Sequence, residues 1–65
     1  MKYFQVTAIL SNIVETIPVS TTSAKFAKQY VEQYWRINQG ANNRIVKVEE
    51  ISWEEWFKLV YDSQN

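Results

Sequence analysis

Apolar and polar residues alternate with a period of two through KYFQVTAIL (2–10) and again through IVETIPV (13–19). With Ser11 and Asn12 as a two-residue turn, Leu10 opposes Ile13, Ala8 opposes Glu15, Val6 opposes Ile17 and Phe4 opposes Val19. Opposed residues of an antiparallel pair share a face. One face then gathers Phe4, Val6, Ala8, Leu10, Ile13, Ile17 and Val19. The other gathers Tyr3, Gln5, Thr7, Ile9, Val14, Thr16 and Pro18. A single register sorts both strands, which predicts a hairpin over 2–19. Pro18 has no N–H to give a ladder, so the second strand is expected at a sheet edge.

After STTS (20–23), a cluster of helix-capping residue types, the period changes. Ala24, Phe26, Ala27, Tyr30, Val31, Tyr34, Trp35 and Ile37 fill an arc of roughly 180° on a helical wheel. Lys25, Lys28, Gln29, Glu32, Gln33 and Arg36 fill the remainder. The pattern predicts a helix over 24–38, with Gly40 ending the helical region and GANN a loop. RIVKVEEI predicts a strand over 44–51, with Val46 and Val48 inward and Ile45, Lys47 and Glu49 outward. SWEE is a capping box: Ser52 accepts from the Glu55 amide while the Glu55 carboxylate reaches back to the Ser52 amide. It opens a helix expected over 53–62, with Ile51 and Trp56 at the positions of a hydrophobic staple. The apolar arc of this helix, Trp53, Trp56, Phe57, Leu59, Val60 and Tyr61, spans roughly 200°, wider than the ~100° stripe a surface helix needs.

The predicted order is ββαβα. With strand 2 at an edge, strand 3 pairs beside strand 1. The expected fold is a small α+β two-layer domain: a three-stranded antiparallel sheet in the order 2-1-3, both helices packed on the Phe4 face.

Length and composition narrow the chemistry. Sixty-five residues make one domain, 1–65, of marginal stability. There is no Cys and no His. Disulfides, thiolate zinc sites, thiol nucleophiles and imidazole bases are therefore excluded. A single Gly excludes the glycine-rich loops that cradle phosphates. Glu49, Glu50, Glu54 and Glu55 straddle a strand end and a helix start, where capping and solvation account for them. The sequence thus predicts a non-enzymatic protein with no cofactor and no metal. No run approaches the ~20 apolar residues of a membrane helix. Lys2 is followed by alternation rather than by a signal-peptide core. A cytoplasmic protein, complete as a small open reading frame, is the expectation.

Zero net charge hides segregation. Residues 1–47 carry six cations against two acids, a net +4, and residues 48–65 carry one cation against five acids, a net −4. Either the halves neutralise each other by packing, or the surface has two poles that orient a charged partner.

Two interaction readings follow. Ten of the 65 residues are aromatic, and Trp, Tyr and Phe are enriched in protein interfaces. Trp56, Phe57 and Val60 are expected in the core. Leu59 and Tyr61, at the margins of the second helix, are expected to contact another protein. Glu54, Glu55 and Asp62 would lie beside them, and Tyr3, Ile9, Val14 and Ile45 would lie on the open sheet face. That face and the small size point to a homodimer. The alternative is a single-stranded nucleic-acid-binding module using Lys25, Lys28, Arg36, Arg44 and Lys47; Glu32 interrupts that stripe. The hairpin-then-helix layout is similar to that of many small reading frames of phages and other mobile elements. That resemblance implies an accessory protein that occupies a surface of a larger protein, with the acidic strip entering a nucleic-acid groove of its target.

Overall fold

The computed structural model describes residues 1–63. Strand β1 runs Lys2–Leu10, β2 Ile13–Thr21, helix α1 Ala24–Tyr34, β3 Asn43–Ile51 and helix α2 Trp53–Ser63. The three strands form an antiparallel sheet in the order β2-β1-β3, the expected α+β topology.

The hairpin register is the one the alternation dictates: Phe4 faces Val19, Val6 faces Ile17 and Ala8 faces Glu15. Ser11 and Asn12 take φ of 53° and 67°, which gives the turn the right-handed twist of its flanking strands. The tip is also tied to the start of β3. The Ser11 amide donates to Asn43 Oδ1 at 2.9 Å and the Asn12 amide to the Asn42 carbonyl at 3.3 Å. Leu10 and Ile13, beside a two-residue turn, close a hydrogen-bonded pair. Counting outward puts Pro18, opposite Gln5, in a non-hydrogen-bonded pair, so the N–H it lacks is one that would have pointed off the sheet.

Phe4, Val6, Ala8 and Val19 on one sheet face, Ala27 and Val31 from α1, and Ile37 just beyond it form the buried core. Leu10, Ile17, Ile45 and Val48 pack against that core, half-buried. Ser23 caps α1 by accepting from the Phe26 amide at 3.3 Å.

Three expectations are corrected. Helix α2 does not share this face. Tyr3 belongs to the opposite parity from Phe4 and lies in the central strand between Ser20 and Ile51. Its ring lies 5.2 Å from Trp56, and Gln5 lines a cleft with Glu55, Lys58 and Leu59. The domain is therefore three layers, α1 on one side of the sheet and α2 on the other. Three strands spaced about 4.8 Å apart make a sheet about as wide as one helix of 10–12 Å diameter, so α1 leaves no room for a second.

The second correction is in β3. The register slips between Thr7 and Ala8, so that Thr7 faces Lys47 while Ala8 faces Ile45. Val46 is the extra residue of a bulge and is 55% exposed. An inserted residue reverses parity beyond it, so Ile45, expected outward, packs on the core and Val46, expected inward, does not.

The third is the end of α1, four residues earlier than expected. The Trp35 amide donates to the Val31 carbonyl and the Ile37 amide to the Glu32 carbonyl. Arg36 between them has φ 53°. This is a Schellman closure that turns Ile37 back into the core; Gly40 takes no part.

Candidate protein-interaction surface

Seven aromatic side chains are about half exposed or more: Phe26, Tyr30, Tyr34, Trp35, Trp53, Phe57 and Tyr61. They are not scattered. Residues four apart on a helix advance about 40° around it and 6 Å along it, so Trp53, Phe57 and Tyr61 form one ridge and Phe26, Tyr30 and Tyr34 another. On α2 the rings stack at 5.3 Å (Trp53–Phe57) and 6.4 Å (Phe57–Tyr61). On α1, Tyr30 and Tyr34 stack at 5.8 Å, and Trp35 meets Tyr34 edge-on at 5.4 Å.

Each ridge is exposed for a steric reason. Ala27 and Val31 are the buried residues of α1; their small side chains bring the helix close to the sheet and leave the bulky flank outside. On α2, Trp56, Leu59 and Val60 are half-buried. Directing these three at the sheet rotates Trp53, Phe57 and Tyr61 away from it. The capping box fixes where α2 begins. The Glu55 amide donates to Ser52 Oγ at 3.2 Å and the Ser52 amide to Glu55 Oε1 at 3.4 Å. Glu54 and Glu55 sit in the first turn, where the helix dipole favours them.

The residues singled out from sequence are only partly brought together. Tyr61, Glu54, Glu55 and Asp62 are exposed on α2 as expected. Leu59 is half-buried in the cleft with Gln5 rather than at an outer margin. Phe57, expected in the core, is 49% exposed. Tyr3 lies under Trp56 rather than on an open face, and Ile45 lies on the core side. Ile9 and Val14 oppose each other at the hairpin end of the α2 side, Val14 66% exposed.

The basic residues divide between the two sides of the sheet. Lys25, Lys28 and Arg36 are exposed around α1. Arg44 pairs with Ile9, and Lys47 with Thr7, on the α2 side. Arg44 donates to the Ala41 carbonyl at 2.6 Å, and Lys47 lies 3.2 Å from Glu49.

An open groove of about 510 Å³ lies at the hairpin end on the α1 side, between Ile13, Glu15 and Ile17 of β2 and Trp35. Sequence reasoning missed Phe26, Tyr30, Tyr34, Trp35 and Trp53 as surface residues. The signal available was the width of both apolar arcs together with the four-residue spacing of the rings.

No family model, curated protein or solved structure matches this chain.

Proposed function

We propose that the protein is a non-catalytic accessory protein, of the kind small phage reading frames encode, that acts by occupying a surface of a larger protein. The observation supporting this reading is the stacked ridge Trp53–Phe57–Tyr61, half exposed, with Glu54 and Lys58 at helical spacing beside it. Aromatic side chains bury large areas at low entropic cost and dominate binding hot spots. The matching surface on the partner carries apolar pockets that seat these rings.

The nucleic-acid reading draws less support. Single strands need a continuous basic track beside stacking platforms, and here Arg44 and Lys47 lie across the sheet from Lys25, Lys28 and Arg36.

A photo-crosslinking residue at position 57 identifies the partner, and titration of the purified partner then decides between the readings. Phe57→Ala and Tyr61→Ala are each expected to weaken binding at least about tenfold, the size of a hot-spot loss. Labelled single-stranded oligonucleotides at low salt are expected not to bind at high micromolar protein. Oligonucleotide binding that Lys25→Glu and Lys28→Glu abolish would replace this reading with the nucleic-acid one.

A further inference from the structure

The groove at the hairpin end holds a carboxylate with no cation beside it. The alternation of β2 places Glu15 on the apolar face of the sheet, between Ile13 and Ile17 and opposite Ala8. Helix α1 stops at Tyr34, and the next residue, Trp35, forms the facing wall of the groove, which Leu10 also lines. No Lys or Arg lines it. Among the described residues the Glu15 carboxylate joins no ion pair and no side-chain hydrogen bond; the cations that pair, Lys2 and Lys47, do so with Glu50 and Glu49. Arg36, beside Trp35 in the chain, is exposed and outside ion-pairing distance of Glu15. The other polar residues of the lining are already joined, the Ser11 amide donating to Asn43 Oδ1.

We propose that this groove receives an arginine side chain from a partner protein. The lining selects that occupant. A guanidinium is planar, keeps its charge, and can stack on an indole while its N–H groups fork onto a carboxylate. Trp35, 47% exposed, supplies the ring and Glu15 the carboxylate. The aliphatic stem of arginine lies along Leu10, Ile13 and Ile17, as such stems do on apolar surface. A wholly apolar occupant would cover the carboxylate without a partner, which is costly. An ammonium is a more strongly hydrated point charge that neither forks nor stacks as a plane.

An inward charge on an edge strand also deters pairing with another sheet. Pro18 already interrupts this edge, and deterrence gives no role to Trp35 across the groove. The groove lies on the α1 side of the sheet and the ridge of Trp53, Phe57 and Tyr61 on the other. The inference therefore stands apart from the ridge and does not need it to be a contact surface.

A nuclear magnetic resonance titration of the full chain with the blocked tripeptide acetyl-Ala-Arg-Ala-amide tests it. One side chain should bind with a Kd in the millimolar range, shifting the Trp35 indole N–H and the methyl signals of Ile13 and Ile17. Citrulline in place of arginine keeps the shape without the charge and should weaken binding at least about tenfold, as loss of a charge-assisted hydrogen bond does. Lysine should bind severalfold more weakly than arginine, and norleucine should give no shifts. Glu15→Gln, an exposed position whose folding circular dichroism checks, should lose at least about tenfold. Trp35→Leu keeps an apolar wall without the ring face and should lose about threefold. Phe57→Ala should change nothing.

Equal binding of the citrulline and arginine peptides would overturn the proposal, as would arginine binding that Glu15→Gln leaves intact. Tighter binding of the lysine peptide would remove the guanidinium as the recognised group. No shifts up to about 50 mM peptide would leave no site to assign. Should Glu15→Gln aggregate, the comparison of arginine with citrulline on the parent chain still decides. None of these failures touches the ridge, whose own test is at Phe57 and Tyr61.

Discussion

The two sides of the sheet are built to different standards. On the α1 side every buried residue of the described chain is found, and most are small: Val6, Ala8, Val19, Ala27 and Val31 beside Phe4 and Ile37. On the α2 side none of the described residues is fully buried; Trp56, Leu59 and Val60 are half-buried, Trp56 against Tyr3 and Leu59 in the cleft with Gln5. One polar atom there is closed off from solvent without a partner, the Trp56 indole Nε1. Unpaired buried donors are rare where packing is optimised. The difference teaches that this domain places small side chains in its dry layer and large rings outside. Stability resides chiefly in α1 and the sheet, while α2 is a lightly attached carrier of aromatic surface.

A pair of identical substitutions tests that contrast most directly. Phe4 is 2% exposed and Phe57 49%. Phe4→Ala is expected to cost about 3–5 kcal/mol, the range for emptying a buried aromatic site, and so most of the stability of so small a domain. Phe57→Ala should stay within about 1 kcal/mol of the parent, as surface changes usually do. Urea unfolding followed by circular dichroism measures both. Comparable losses would erase the distinction between the layers.

The sequence made one of these layers legible and not the other. The hairpin register could be read because a period of two leaves one solution for Phe4, Val6 and Ala8 against Val19, Ile17 and Glu15. The start of α2 could be read because Ser52 and Glu55 satisfy each other's amides locally. The side of the sheet that α2 takes could not. That depends on α1 already filling a narrow sheet, a competition between elements far apart in the chain, and Tyr3 and Trp56 carry no mark of it. The bulge at Val46 was equally silent: RIVKV alternates well enough in either parity, and only pairing with Thr7 and Ala8 reveals the slip. Placing Ile45 on the recognition surface followed from reading β3 without that extra residue. The exposed ridges were half legible. Arcs of this width exceed what a three-stranded sheet can cover, but which edge of the arc turns outward is set by Ala27 and Val31 approaching the sheet.

A smaller effect sharpens the comparison from the α2 side. Ser52→Ala removes the hydroxyl that accepts from the Glu55 amide and should cost about 1 kcal/mol. If α2 is the loosely held layer, the loss should show as faster amide exchange confined to residues 53–61, with β1 amides unchanged at the same pH. A cooperative unit opens together, so uniform acceleration across β1, α1 and α2 would make the two layers one.

The smallest expected effect is a gain, and it lies at the seam of the well-packed layer. Arg36 occupies the position after the α1 cap with φ 53°, a left-handed conformation that crowds any side chain with a Cβ and that glycine adopts freely. The strain is retained because the turn brings Ile37, 9% exposed, back onto the core. Arg36→Gly relieves the strain but also loosens the unfolded chain, so the net gain should be about 0.5–1 kcal/mol, read as a higher melting temperature. The same change at Phe57 should do the opposite, because a glycine in a helix interior costs about 1 kcal/mol against alanine. Destabilisation by Arg36→Gly would mean that the guanidinium, not the turn, holds the end of α1 in place.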